Sequence, residues 1–169
     1  MERAFFGTYA SRPVGLHFRP IAEADLPFLR DLYAGTREAE LAPVPWPPAA
    51  KRAFLEQQFT AQHTFYHDAY KDADFLLILR DEDAIGRIYV HRMPGKICVV
   101  DIALLSAHRG HGIGTALFAE LIDEARATSS EINLHVEPNN PAQHLYTRLG
   151  FRLVEHREVY DYLVLPAVG

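Results

Sequence analysis

Cysteine is nearly absent from this sequence, with Cys98 as the only one in 169 residues. A single cysteine excludes an internal disulfide and favours a reducing compartment. Long hydrophobic runs are also missing, since none approaches the roughly 20 residues that cross a bilayer. Residues 1–15 lack the basic segment and apolar core of a secretory signal. We therefore expect a cytoplasmic protein with no membrane partner.

An excess of basic charge is absent as well. The formal net charge is −5 at pH 7, which argues against a nucleic-acid partner, because such partners need a basic face. With 49% hydrophobic and 23% charged residues, the composition is typical of a soluble globular protein. The length fits one domain, for which we predict the bounds 1–169.

The hydrophobic pattern predicts strands alternating with helices. Apolar runs bounded by turn residues indicate strands, and apolar residues recurring every three or four positions indicate helices. Four prolines between Pro43 and Pro48 predict an extended loop between the first two helices. Asp25 is the expected N-cap of the first helix, with Pro27 in its first turn. The predicted strands are 16–19, 75–79, 85–90, 97–105, 132–136, 151–154 and 159–165, and the predicted helices are 25–34, 49–70, a helix ending at 127, and 141–149.

The most informative segment is a glycine-rich turn at residues 109–116, which read Arg-Gly-His-Gly-Ile-Gly-Thr-Ala. Three glycines at every second position leave the backbone N–H groups open to a bulky ligand. The turn follows the end of one predicted strand and opens a predicted helix. Unpaired amides and the helix dipole favour phosphate at such a helix start. The turn therefore predicts a site for a phosphorylated cofactor.

Three generic explanations of this turn compete. A P-loop needs a lysine before the final Ser or Thr, and here Gly114 is followed directly by Thr115. A dinucleotide-binding turn needs a third glycine or alanine where Thr115 stands, although Glu137 near the end of the next strand keeps that alternative open. The strands predicted before the turn also form hairpins, which argues against it. A helix-capping turn without a ligand is the third alternative.

A second motif favours a fourth explanation of the glycine-rich turn. Asn139-x-x-Ala142-x-x-Leu145-Tyr146-x-x-x-Gly150-Phe151 begins 25 residues after Gly114. In this order and spacing, the two motifs resemble the GNAT superfamily of acyl-CoA-dependent N-acyltransferases. The resemblance implies an α/β fold with a mixed, largely antiparallel central sheet of six to seven strands and flanking helices. It also implies a splayed pair of parallel strands at the CoA site, with helices at about 25–70 on the acceptor side and a CoA-binding core at about 97–151.

The resemblance assigns acetyl-CoA as cosubstrate and places its parts on named segments. The glycine turn would hold the pyrophosphate, the main chain of the preceding strand would pair with the pantetheine arm, and the acetyl group would lie between Leu104 and Val136. Tyr146 would protonate the departing CoA thiolate. The cofactor-binding residues implied in this way are Ile102, Leu104, Leu105, Arg109, Gly110, His111, Gly112, Ile113, Gly114, Thr115 and Asn139.

The general base is less clear, because the chain departs from the family pattern. Many family members carry a glutamate early in the strand before the turn, and Cys98 stands at that place. Asp101 is the base that we choose, although strand alternation turns it away from the face of Cys98 unless a bulge intervenes. The alternative bases are His91, His135 and Glu137. We do not expect Cys98 itself to act as a nucleophile.

We therefore predict an N-acetyltransferase that acts by direct attack of a primary amine in a ternary complex. The acceptor would be a small molecule or a peptide, and the protein would be a monomer or homodimer. A metal is not expected, because His63 and His67 are four residues apart without an evident third ligand. Some of Trp46, Phe65, Tyr66 and Tyr70 would line the acceptor cleft. The alternatives are a non-catalytic CoA-binding sensor and a dinucleotide-binding enzyme.

Overall fold

A seven-stranded mixed sheet organises the computed structural model, which describes residues 15–168. The prediction about a secretory signal therefore falls outside the described residues, apart from Gly15. The sheet order is β1-β2-β3-β4-β5-β7-β6. The elements are β1 (Leu16–Pro20), α1 (Leu26–Leu41), α2 (Pro48–Ala69), β2 (Asp74–Arg80), β3 (Asp83–Met93), β4 (Lys96–Leu104), α3 (Ile113–Thr128), β5 (Glu131–Val136), α4 (Gln143–Leu149), β6 (Arg152–Arg157) and β7 (Tyr160–Leu165).

The pairing of the strands confirms the predicted fold class. Among the described strands, β4 and β5 form the one parallel pair, and every other pair is antiparallel. A dinucleotide-binding sheet is mostly parallel and is wound from βαβ units. The antiparallel arrangement of β1 to β4 therefore does not support the dinucleotide-binding alternative.

Helices cover both faces of this sheet. Strand β2 shows why, because its side chains alternate between two buried clusters. Leu77 joins a cluster with Leu29 of α1 and Phe59 of α2. Its neighbour Leu76 joins the larger cluster, which contains Leu117 of α3. The apolar sequence of β2 is thus explained by burial on both sides, and α1 and α2 lie on the face opposite α3.

Two features of the first helix differ from the sequence prediction. Helix α1 continues to Leu41 instead of ending at 34, because Gly35 keeps helical geometry and a glycine inside a helix costs only about 1 kcal/mol. Asp25 precedes the helix, but its carboxylate does not cap it. It accepts the N–H of Ala22 at 2.7 Å and pairs with Arg19 at 2.7 Å. Asp25 thus occupies the predicted N-cap position, with proline in the first turn, but the side-chain hydrogen bond expected of a cap does not form.

A β-bulge in β4 prepares the functional site. Tyr89 of β3 pairs with Asp101, but the next residue, Val90, pairs with Val99, so Val100 is left without a partner. The parallel pairing of β4 with β5 also stops here, after Val99 and Leu134. Beyond this point the two strands diverge, as the resemblance implied. Within residues 15–168, no helix combines the length and apolar character that crossing a bilayer requires.

Candidate functional site

A cavity of about 170 Å³ lies where β4 and β5 diverge. The bulged half of β4 and the end of β5 form one wall of the cavity, and α1 and α2 supply the opposite wall. The lining also includes Arg87 of β3, Glu137 and Asn140 of the loop after β5, Tyr146 of α4 and Tyr160 of β7. The splayed strands thus create a space between the sheet and the two helices that were expected on the acceptor side.

Tyr146 both packs in the core and lines this cavity. Its side chain is only 5% exposed, and its ring meets Phe118 edge-on with ring centroids 5.3 Å apart. Burial, and then the negative charge of Asp101, raise the pKa of Tyr146 to about 12. The phenol therefore stays protonated at neutral pH and can donate a hydrogen bond there.

Asp101 reaches the cavity because of the bulge. Arg87 of β3 donates a hydrogen bond from Nη2 to Asp101 Oδ2 at 2.5 Å, and the same Nη2 lies 2.7 Å from Gln62 Oε1 of α2. The arginine side chain is 3% exposed, so this pair is almost fully removed from water. Among the described residues, no donor contacts Asp101 Oδ1, which leaves that oxygen available to a ligand.

The glycine turn has the geometry of an anion site. Gly110 and Gly112 have φ values of +74° and +82°, in the left-handed region that favours glycine. A Cβ atom at either residue would meet nothing within 4 Å, so this side of the turn is open. Gly112 directly precedes α3, whose start has no side-chain cap. The first amides of α3 are therefore free to meet an anion.

In the second half of β4, alternate residues direct their main-chain N–H and C=O groups away from β3, toward the edge that β5 leaves unpaired. Leu105 donates its N–H to Ile85 O at 2.8 Å, which fixes the register with β3. Because both polar groups of a residue in an antiparallel pair point to the same side, those of Ile102 and Leu104 face away from β3. Leu105 differs from the sequence prediction, since its carbonyl also accepts the N–H of His108 at 2.9 Å. Both of its main-chain groups are used within the fold.

Comparison with known proteins agrees with this geometry. The sequence profile of the Acetyltransferase (GNAT) family matches residues 28–151. The chain belongs to this family. A mycothiol acetyltransferase of Corynebacterium glutamicum is 33% identical over 97 residues, which cover 56% of this chain and 33% of that enzyme. The match thus spans about one third of that relative's length.

Solved structures of acetyltransferases share the fold of this GNAT chain. PaiA N-acetyltransferase from Thermoplasma acidophilum, crystallised with coenzyme A, aligns with a TM-score of 0.65 at 17% identity, over 90% of this chain and 99% of that one. An acetyltransferase from Thermus thermophilus also aligns with a TM-score of 0.65 at 17% identity, over 90% and 97% of the two chains. At these identities the likeness concerns the fold alone.

The two histidines among the alternative bases of this GNAT chain differ in position and in hydrogen bonding, and neither is suited to act as the base. His91 packs beside Tyr70, with ring centroids 5.5 Å apart, and does not line the cavity. His135 lines it, but its Nε2 lies 3.0 Å from Arg157 Nη1. Because arginine only donates, Nε2 must accept, and the proton of the neutral ring then sits on Nδ1. Burial, and then Arg157, lower the pKa of His135, so this ring stays neutral without a free basic nitrogen.

Glu137 remains beside Asp101 as a carboxylate of the cavity. It follows β5 directly, and its Oε1 lies 2.6 Å from Arg37 Nη1 of α1. Sequence reasoning missed both arginines that pair with these carboxylates. A signal existed for Arg87, a charged residue in the middle of an apolar strand, whereas nothing in the sequence singled out Arg37 on its helix.

Asn139 and Asn140, which are adjacent in the loop after β5, differ in their side-chain contacts. Asn140 Oδ1 accepts the N–H of Ala142 at 2.9 Å, and Asn140 also lines the cavity. Asn139 is exposed, and its side chain makes no hydrogen bond with another described residue. Asn139 does not line the cavity, but its side chain is free to contact a ligand.

The remaining residues singled out in the sequence lie around the cavity. Tyr66 lines it, whereas Trp46 and Phe65 are 44% and 61% exposed and do not. Cys98 is buried, and this burial raises the pKa of its thiol to about 11, which disfavours a nucleophilic thiolate. His63 and His67 have ring centroids 4.3 Å apart, but within residues 15–168 no three His, Cys, Asp or Glu side chains are grouped to hold a metal.

Proposed function

We propose that this chain is an N-acetyltransferase that transfers an acetyl group from acetyl-CoA to a primary amine by direct attack in a ternary complex. The observation that carries the proposal is the cavity between the diverging ends of β4 and β5, which holds Tyr146 and the carboxylate of Asp101. A proton donor and a proton acceptor therefore line one space between the diverging strands and the helices α1 and α2. The name of the curated relative supports an acetyl transfer.

The residues around the glycine turn fit acetyl-CoA. Backbone amides from Gly110 to Thr115, with Arg109 and His111 beside them, would hold the pyrophosphate, since the turn is open and the helix start is uncapped. Ile102 would pair with the pantetheine arm through both of its outward main-chain groups. Leu104 would use its N–H, because its carbonyl accepts the Nε–H of Arg109 at 3.0 Å, and Asn139 would add a hydrogen bond. We do not assign this role to Leu105, because its main chain is engaged. When bound, acetyl-CoA supplies an activated thioester carbonyl.

Asp101 is the base in this proposal. A primary amine with a pKa near 10 is mostly protonated at neutral pH and must lose a proton before it can attack. Asp101 offers its unpartnered Oδ1, while Arg87, which also donates to Gln62, holds Oδ2 in place. The ammonium first loses one proton to Asp101, directly or through water, and the neutral amine then forms the C–N bond to the thioester carbonyl carbon. As the C–S bond breaks, Tyr146 donates a proton to the sulfur, and the second proton of the acylated nitrogen returns to the phenolate through water.

Tyr146 is the donor to the leaving sulfur. Its pKa of about 12 lies above that of a free thiol, which is ≈ 8.5, so full proton transfer to a distant thiolate is unfavourable by roughly 5 kcal/mol. The phenol must therefore stay in contact with the sulfur while the C–S bond breaks. The rigid packing of its ring against Phe118 supports this positioning role.

Thiol release tests the proposal. The protein is mixed with acetyl-CoA and a library of primary amines, free thiol is measured, and acetylated amines are identified by mass spectrometry. We expect amine-dependent thiol release, with Asp101→Asn lowering kcat about 100-fold or more. Protection from thermal unfolding by CoA without any amine-dependent thiol release would instead favour a non-catalytic sensor.

Glu137→Gln is the matched control in this assay, because it also neutralises a carboxylate of the cavity that pairs with an arginine. We expect it to retain more activity than Asp101→Asn. If Glu137→Gln lowers kcat while Asp101→Asn does not, the base is Glu137 and our assignment of Asp101 is wrong.

A further inference from the structure

The cavity has two chemically different walls. The wall from β4 and β5 is largely apolar, with Val99, Ile102 and Val136 among its residues. The wall from α1 and α2 is polar. In the proposed function the cosubstrate lies along β4, so the polar wall is the one that meets the acceptor. Its chemistry therefore describes what kind of amine fits.

The formal charges of the cavity cancel in pairs. Four formally charged residues line it, and each cation contacts an anion. Arg37 Nη1 lies 2.6 Å from Glu137 Oε1, and Arg87 Nη2 lies 2.5 Å from Asp101 Oδ2. Glu40 also contacts Arg37, but its side chain is 58% exposed, and water screens its charge. The cavity thus offers no unpaired charge to a ligand.

The amide and phenol groups of the polar wall and of the neighbouring Asn140 loop are uncharged. Gln62 uses its Oε1 to accept from Arg87, and Asn140 uses its Oδ1 to accept from Ala142, which leaves the NH₂ group of each amide as a donor. The phenols of Tyr33 and Tyr66 line the same space. Burial, before the weaker effect of Asp101, raises the pKa of Tyr66, so this phenol stays neutral. Neutral hydrogen-bonding groups suit hydroxyl groups on a ligand.

We propose that the acceptor is a hydroxyl-rich amine without any other charged group, of the amino sugar or amino alcohol class. This inference rests on the proposed function. A phosphate, a carboxylate or a second ammonium on the acceptor would enter the cavity without a counter-ion, because both internal pairs are already satisfied. Hydroxyl groups instead replace their water contacts with the amides and phenols of the polar wall.

A matched series of acceptors tests this inference. Glucosamine, glucosamine 6-phosphate and 2,6-diamino-2,6-dideoxyglucose share one ring and differ by an added anion or an added cation. We expect kcat/KM for glucosamine to exceed that for either charged analogue by about tenfold or more. Equal or faster acetylation of a charged analogue would overturn the inference while leaving the acetyltransferase itself established. If no amine in the series or in the library is acetylated, the proposed function fails instead.

Two reciprocal variants sharpen the test. Glu137→Gln removes the partner of Arg37, so the ratio of kcat/KM for glucosamine 6-phosphate over glucosamine should rise about tenfold. Arg37→Gln removes the partner of Glu137 and should raise the ratio of kcat/KM for the diamino sugar over glucosamine.

Asp123→Asn, on the exposed part of α3 outside the cavity, is the control and should leave both ratios unchanged. Because each result is a ratio within one variant, a loss of overall activity does not hide it. Unchanged ratios in both folded cavity variants would contradict the inference.

Discussion

Tyr146 shows how one residue can serve packing and chemistry together. Its ring belongs to the buried cluster under α3, while its hydroxyl borders the cavity in which we place the reaction. Packing against Phe118 and Phe151 limits the rotamers of the ring, and a fixed ring holds the hydroxyl in one place. A donor whose pKa is poorly matched to its acceptor depends on such fixed placement.

Replacement of Tyr146 by Phe keeps the ring and removes the donor. We expect Tyr146→Phe to lower kcat about tenfold to 100-fold, with little change in the affinity for acetyl-CoA. Steady-state kinetics and calorimetric titration with CoA measure the two effects. Tyr162→Phe, on β7 outside the cavity lining, is the control and should behave like the wild type. Unchanged turnover of Tyr146→Phe would rule out its role as the donor.

Arg87 marks the limit of residue-level prediction. The sequence shows an arginine inside the apolar strand 85–90, and a charge at such a place needs a partner. The sequence does not reveal that partner, because Asp101 comes opposite Tyr89, diagonal to Arg87 on the same face, only after the bulge shifts the register by one residue. For the same reason the side on which Asp101 would lie depended on the bulge. Local patterns predict which groups are polar, whereas pairing across strands decides where they point.

At the scale of elements, the glycine turn and α3 were predictable because their signals are local. Left-handed glycines and a helical apolar pattern act within a few residues. The predicted end of α1 at 34 was wrong, because Gly35 keeps helical geometry at a cost of only about 1 kcal/mol and no proline follows until Pro43. The divergence of β4 and β5 followed only from the family resemblance, because it depends on two strands distant in sequence.

Two glycine variants separate the binding role of the turn from its stability. Gly114 has no left-handed strain, and a Cβ there would lie 3.5 Å from Leu145, an ordinary contact. We therefore expect Gly114→Ala to fold normally and to weaken binding of CoA about tenfold, because the added methyl group stands beside the Gly114 amide that we place on the pyrophosphate. Isothermal titration with CoA and chemical unfolding measure affinity and stability.

Gly95→Ala is the matched variant. Gly95 has φ +74° in the turn between β3 and β4, away from the cavity, with open space around a Cβ. Its left-handed backbone makes alanine cost about 1 kcal/mol of folding free energy, without an effect on CoA binding. If Gly114→Ala binds CoA as tightly as the wild type, the glycine turn does not contact the cofactor at that residue.

At the scale of the whole molecule, the helices on the two faces of the sheet contribute to different parts of the proposed site. Helix α3 begins at the glycine turn and buries its apolar face under the sheet, so the proposed phosphate site sits on a rigid element. Helices α1 and α2 bring Arg37 and Gln62 to the opposite side of the cavity. The family match covers 28–151 and hence both layers. The acceptor side could not be predicted from the sequence, because its residues come from separate elements without a shared motif.

Two buried side chains that are neutral when protonated, Cys98 and Tyr146, predict how the free energy of unfolding changes at high pH. Burial raises the pKa of Cys98 from its ordinary 9.0 to about 11, and burial, then Asp101, raise that of Tyr146 from 10.0 to about 12. At a pH between the unfolded and the folded pKa of such a group, the group has lost its proton in the unfolded chain but keeps it in the folded chain. The free energy of unfolding therefore falls as the pH rises through this window, and the contribution is complete below the unfolded pKa.

Urea unfolding from pH 8 to 12 measures this loss of stability. A shift of two pKa units corresponds to roughly 3 kcal/mol for a fully buried group, so Cys98 alone should produce a visible decline between pH 9 and 11. Cys98→Ala should lower stability at pH 8 by lost packing and flatten the decline between pH 9 and 11. Tyr146→Phe should flatten it between pH 10 and 12. All other titrating groups are common to the three proteins, so curves that stay parallel to the wild type would show that neither group is held neutral by the fold.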